Sequence, residues 1–192
     1  SCDVAEARIA GLVTAAGLGR RAGGPKAALV LEDDPRSLLE RCVSGLLAAG
    51  CEQVFAVLRA EHRLLGQRAG AQVVCPDPAP DEMIDSVIAG LQQIELQGGF
   101  DGLLLCPVDA PKAAEFAGSW LGPALAAHSP NTIVPCFNGR PGHPAWLPVS
   151  NWYLLRGKDC AERGARAAFD DAELWTCTSD NVLDNYNGPT RA

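Results

Sequence analysis

The sequence has no C-x-x-C pair, no run of about 18 consecutive apolar residues, no excess of basic charge and only three histidines. Each absence removes a class of function. The eight cysteines, Cys2, Cys42, Cys51, Cys75, Cys106, Cys136, Cys160 and Cys177, are scattered, and most sit in apolar runs such as LLLCP. They are expected to be buried thiols packed as small hydrophobes, not metal ligands or redox pairs. Without a long apolar run no membrane helix is predicted, and the first residues, SCDVAEAR, lack the basic and apolar regions of a signal peptide. A cytoplasmic location is expected. A net charge of −7 repels polyanions, so neither nucleic acid nor an anionic membrane is expected as a partner. No Ser-His-Asp or Cys-His arrangement stands out.

What is present suits a core of good size: 192 residues, 47% of them hydrophobic, predict one domain spanning 1–192. Short apolar runs alternate with helical periods along the whole chain. Strands are expected at about 9–14 and at QVFAVL, AQVVC, GLLLCP and TIVPCF, and helices at about 37–49, 81–96 and 112–128. Ser37 reads as an N-cap and Gly50 as the stop of the first helix. This alternation predicts an α/β fold, a mostly parallel sheet with helices on both faces, whose ligands bind beyond the carboxyl ends of the strands.

One such end opens into TAAGLGRRAGGPKAAL, from Thr14 to Leu29. Glycine lets backbone N–H groups approach a ligand, and oriented N–H groups form an anion-binding concavity, so a phosphate is the expected occupant. The dinucleotide pattern G-x-G-x-x-G/A is matched by Gly17, Gly19 and Ala22, but Gly23, Gly24 and Pro25 break the helix that pattern requires. The Walker A pattern fails where Pro25 replaces the lysine and Ala27 the hydroxyl. The remaining reading is a long loop in which glycine amides, Arg21 and Lys26 surround a triphosphate.

A second strand ends in LLLCPVDAP, which puts Asp109 just past a run apolar enough to be a central strand. It has two readings. A turn aspartate there would cap the helix that begins near Lys112. A functional aspartate would hold the Mg²⁺ that a nucleoside triphosphate needs, since that ion is usually bound by one or two carboxylates plus phosphate oxygens. His143, between Gly142 and Pro144, is expected on an extended, exposed backbone. His62 and His128 read as helix-surface residues.

These residues resemble the nucleotidyltransferases that act on molybdenum cofactor, most closely the cytidylyltransferase branch. The resemblance covers nearly the whole chain. Ala15, Ala16, Gly17, Arg21, Gly23 and Lys26 match the family's A-A-G-x-x-x-R-M-G-x-x-K, with Ala22 in place of methionine. MIDSVIAGL at 83–91, PVDAP around Asp109 and GRPGHP at 139–144 follow in the family's order, and ERGARAAF resembles its G-D-x-G-A-R helix start. The resemblance implies a Rossmann-like three-layer fold and Mg²⁺-dependent transfer of a nucleoside monophosphate to a phosphorylated small molecule, with release of pyrophosphate. It assigns Ala15, Ala16, Gly17, Gly19, Arg21 and Lys26 to the triphosphate and Ser86 to the base or ribose. Asp109 would hold the metal, with Gly142 and His143 facing the acceptor. Ala16, where the guanylyl branch has glycine, points to CTP.

Two departures accompany it. The family closes with D-x-D-T-P-x-D, whereas this chain reads DNVLDNYNGPTRA. Alignment on proline puts Asn185 and Asn187 at the two aspartates, making Asn187 the second metal ligand; alignment on LD puts Asp184 first. Glu82 stands where relatives often carry glycine. A nucleotide-binding sensor or scaffold without catalysis, and a sugar-phosphate nucleotidyltransferase, are the alternative readings.

Overall fold

The computed structural model describes residues 7–18 and 25–186. β1 (Ile9–Thr14) is buried along its whole length, as an unbroken apolar run must be in a strand covered on both faces. It pairs in parallel with β2 (Cys51–Val57) and, on its other side, with β4 (Gly102–Pro107); Thr14 is in register with Val57 and with Pro107. β3 (Gln72–Val74) lies in parallel beyond β2. On the far side of β4 come antiparallel β7 (Ala145–Pro148) and then β5 (Ile133–Phe137). β5 also pairs with antiparallel β6 (Arg140–Pro141) and with parallel β8 (Glu173–Thr176). The sheet is mixed but mostly parallel, in the order β3-β2-β1-β4-β7-β5-β6 with β8 on β5.

Helices α1 (Leu38–Ala48) and α3 (Met83–Gln97) cover opposite faces of this sheet. Leu39, Val43 and Leu46 of α1 pack with Val13, Val54 and Leu104. Val87, Leu91 and Ile94 of α3 pack with Leu12, Phe55 and Leu103. These are the alternate sides of each strand, so the three-layer α/β architecture expected from the sequence is present. Ser37 caps α1, its hydroxyl accepting from the Glu40 N–H at 3.2 Å. The chain turns away at Gly50, whose φ of 112° suits glycine alone. Seven cysteines among the described residues are free thiols, all of them buried except half-buried Cys75. No helix among the described residues is long and apolar enough to cross a membrane.

Two expectations are corrected. The span 112–128, expected as one helix, is divided into α4 (Pro111–Phe116), a tight turn and α5 (Leu121–His128). Pro123 has no N–H to donate and clashes with the preceding turn of a continuous helix, so it sits in the first turn of α5, where that donor is not needed. ERGARAAF is not a helix start. It is the end of α6 (Lys158–Arg163), followed by Gly164 at φ 88° and a 3-10 turn over Ala165–Phe169. The short α2 (Arg63–Arg68) joins β2 to β3.

Helix α1 crosses α4 closely: a Cβ on Gly45 would lie 2.7 Å from the Ala114 carbonyl carbon and from the Glu115 nitrogen. Beside that crossing, buried Arg41 donates to Glu115 Oε1 at 2.7 and 2.9 Å. Because the obstructing atoms are backbone, Gly45→Ala should lose more from the clash than the ~1 kcal/mol it gains in helix propensity. A net loss of about 1 kcal/mol or more in urea unfolding is expected, with the far-UV spectrum unchanged.

Candidate functional site

The carboxyl ends of β1 and β4 are neighbours, so the loops that follow them leave the sheet side by side, with the Val108 N–H donating to the Thr14 carbonyl at 3.1 Å. Antiparallel β7 begins at this same edge, since Ala145 is in register with Leu105. Sequence order thereby places three distant segments together. Lys26, in a 3-10 turn over Lys26–Ala28, puts Nζ 2.8 Å from Asp109 Oδ2 and 3.4 Å from the Tyr186 carbonyl oxygen. The Tyr186 N–H donates to the Asp109 carbonyl at 2.8 Å. The Lys26 and Asp109 side chains are only about a quarter exposed, so the ion pair is partly desolvated yet reachable from solvent.

Two clefts meet at this pair. The first, about 510 Å³, is lined by Ala15, Ala16, Gly17, Lys26, Ser86 and Asp109. A Cβ on Gly17 would touch nothing within 4 Å among the described residues, and Gly17 lines the cleft. The second, about 560 Å³, is lined by Gly142, His143, Arg166, Phe169 and Asn185. Thr14, Met83, Pro107 and Asp109 line both, so the two form one continuous groove with Asp109 at its waist. Of the residues singled out from the sequence, the structure gathers Ala15, Ala16, Gly17, Lys26, Ser86, Asp109, Gly142 and His143 along this groove. Gly19, Arg21 and Asn187 lie outside the described residues.

Asp109 is not the cap of α4. That role falls to Asp184, whose Oδ2 accepts from the Lys112 N–H at 2.9 Å. Burial raises the Asp184 pKa above the ordinary carboxylate value, while the bond from Lys112 lowers it. The capping work done by Asp184 leaves the Asp109 carboxylate turned to Lys26 and the groove. Glu82 also has a structural role: it caps α3 in a reciprocal box with Asp85.

His143 is half-buried, not exposed as the Gly-His-Pro setting suggested. Its N–H donates to the Val182 carbonyl at 2.8 Å, and a Cβ on Gly142 would come within 2.6 Å of the Val182 carbonyl carbon. The 3-10 turn over Asp180–Leu183 therefore packs against residues 142–143 so closely that only glycine fits. Burial depresses the His143 pKa below its usual 6.5, opposed in part by the charge of Asp109.

No group of three or more Asp, Glu, His or Cys side chains among the described residues forms a metal site. Asp109 alone fits a cation that also takes phosphate oxygens, which is how Mg²⁺ is commonly held. The sequence reading aligned Asn185 with a family aspartate, and Asn185 lines the groove; Thr14, Met83 and Phe169 it missed as groove residues. Only Thr14 carried a signal, a polar side chain ending the otherwise apolar β1. It is 8% exposed and its Oγ1 has no hydrogen-bond partner among the described residues, a condition that costs about 1–3 kcal/mol.

A model of the MobA-like NTP transferase domain matches residues 11–175. The chain belongs to that family. A search of curated proteins finds no match. Among solved structures, Rv0371c from Mycobacterium tuberculosis H37Rv is similar at 20% identity and TM-score 0.66, covering 89% of this chain and 88% of that one. Molybdopterin-guanine dinucleotide biosynthesis protein A from Archaeoglobus fulgidus is similar at 17% identity and TM-score 0.63, covering 94% and 93%. The 4-diphosphocytidyl-2C-methyl-D-erythritol synthase from Anaerococcus prevotii is similar at 13% identity and TM-score 0.68, covering 96% and 92%. At such identities the likeness is one of fold, and it confirms the Rossmann-like nucleotidyltransferase architecture.

In this MobA-like domain the depressed His143 pKa has a consequence for stability. The unfolded chain takes the proton first, so the contribution of neutral His143 is complete above about pH 6.5 and is lost as pH falls through the lower folded value. In buffer without divalent ions, His143→Gln should therefore lose less unfolding free energy than wild type between pH 7 and pH 5. Equal losses in urea titrations would contradict the assignment.

Proposed function

We propose that this chain transfers a nucleoside monophosphate, CMP from CTP by preference, to a phosphorylated small-molecule acceptor such as molybdenum cofactor. The carrying observation is the shared floor of the two clefts: two substrates lying in one groove meet over Asp109. In the proposed reaction an acceptor phosphate oxygen attacks the α-phosphorus, the bond to the oxygen bridging the α- and β-phosphorus breaks, and pyrophosphate leaves with that bond's electrons. No side chain forms a covalent intermediate.

The chain's part is position and charge. The amides at Gly17 and Gly19, with Arg21 and Lys26, hold the triphosphate, and Ser86 contacts the base or ribose. Gly142 and His143 border the acceptor. Asp109 and Asn187 would hold Mg²⁺, which supplies charge neutralisation across the phosphate oxygens. A divalent ion is in keeping with the similar Rv0371c, of which a manganese complex is known. The preference for CTP rests on Ala16 and agrees with similar folds whose names concern cytidyl transfer or CTP. The apolar walls at Leu105, Val134, Phe169 and Leu174 suit a flat, weakly polar acceptor body better than a sugar, with Arg166 available to its phosphate.

Substrate binding on this reading exchanges the Lys26–Asp109 pair for two new ones, lysine to phosphate and carboxylate to metal. Charge-assisted bonds of this kind are worth about 1.5–3 kcal/mol, so Lys26→Ala should weaken binding of Mg²⁺–CTP at least tenfold by calorimetry. Asp109→Asn should remove most turnover while the far-UV spectrum stays unchanged.

A pyrophosphate-release screen of the four NTPs against phosphorylated pterins and sugars tests the reaction itself. Release with CTP and a pterin phosphate supports it, and a clear GTP preference reassigns the base. Tight nucleotide binding with no release on any acceptor favours a sensor, the reading that the amide at Asn185 in place of a family carboxylate keeps open.

A further inference from the structure

Four buried polar side-chain atoms have no partner among the described residues: Thr14 Oγ1, His62 Nδ1, Trp120 Nε1 and Trp146 Nε1. Of these residues, only Thr14 lines the groove, and it lines both halves. Every other residue of β1 is apolar or glycine, and valine would fill the same volume without burying a hydroxyl. The register places Thr14 between Val57 and Pro107, at the last paired position before both loops depart. Its side chain lies on the α3 side of the sheet, the side of Leu12 and Ala16, where Met83 and Ser86 also stand.

We propose that Thr14 is a substrate-binding residue whose hydroxyl donates to an oxygen of the phosphate transferred between the two halves of the groove. This rests on the nucleotidyl-transfer reading of the site. The location follows from geometry: the transferred phosphate is the one group that must occupy the waist shared by both clefts, and Thr14 and Asp109 both line it. Thr14 supplies a neutral donor where Asp109 supplies an anion. A neutral donor there adds no cation beside a metal-bearing carboxylate and rejects no anionic oxygen. A change of χ1 from one staggered well to another moves Oγ1 around Cβ without backbone movement.

The test compares wild type, Thr14→Val and Thr14→Ser by calorimetry with Mg²⁺–CTP, CMP and inorganic pyrophosphate, and by thermal melting without ligand. Thr14→Val should bind CTP and CMP about tenfold more weakly, bind pyrophosphate as wild type does, and melt about 2–4 °C higher because an unpaired buried hydroxyl is gone. Thr14→Ser should stay within about twofold of wild type for all three ligands. Unchanged CTP and CMP binding in Thr14→Val overturns the proposal, as does a lower melting temperature, which would reveal a structural partner for the hydroxyl. Equal loss in Thr14→Ser and Thr14→Val overturns it too. A wild-type protein that binds neither CTP nor GTP overturns the nucleotidyl-transfer reading itself, and with it the role of Thr14.

Discussion

The parallel pairing of β1 with β4 is the constraint on which the groove depends. It brings Thr14 level with Pro107, so two loops that are far apart in sequence leave the same edge as neighbours. Lys26 and Asp109, separated by 83 positions, then meet at 2.8 Å. Parallel strands require long crossovers, and here α1 lies between β1 and β2 and α3 between β3 and β4, packing on opposite faces of the sheet as its two outer layers. A change that loosened α1 against α4 would act on the groove through the chain, because α4 begins two residues after Asp109, at Pro111.

The strands were legible because central strands are continuous apolar runs, and GLLLCP is β4 from Gly102 to Pro107 without an offset. The first helix was legible from Ser37, a side chain that can satisfy an otherwise orphaned N–H. The division of 112–128 was harder to read, since apolar spacing continues across the break and only Gly122-Pro123 marks it. The antiparallel placement of β7 between β4 and β5 has no local signal at all; it follows from tertiary packing that carries residues 142–148 back along the sheet.

The site was legible where backbone chemistry dictates residue type. Gly17 beside an open cleft and Gly142 against the Val182 carbonyl are such positions, the first lining the cleft and the second admitting no side chain. Roles that depend on distant partners were not legible. Asp184 and Asp109 are both loop aspartates, and nothing in their sequence neighbourhoods says that Asp184 caps α4 while Asp109 turns to Lys26. The apolar wall of the second cleft was equally hidden, because nothing local to Val134, Phe169 and Leu174 says that the fold leaves them facing a groove.

Electrostatics gives these assignments a common logic. A chain of net charge −7 that admits a triphosphate must concentrate its positive groups and keep its carboxylates occupied. At the waist of the groove Asp109 is paired with Lys26, and the nearby Asp184 is spent on the Lys112 N–H. An unpaired carboxylate at the waist would repel phosphate; one paired with a lysine has its charge offset until that lysine is drawn away. On the proposed reading, the incoming phosphate draws Lys26 and the accompanying cation takes Asp109, so neither exchange leaves an uncompensated charge in a partly desolvated site. Metal without nucleotide offers Lys26 nothing in return, and nucleotide without metal leaves Asp109 facing phosphate. The pairing therefore favours joint entry of the two, a coupling written into the position of one lysine.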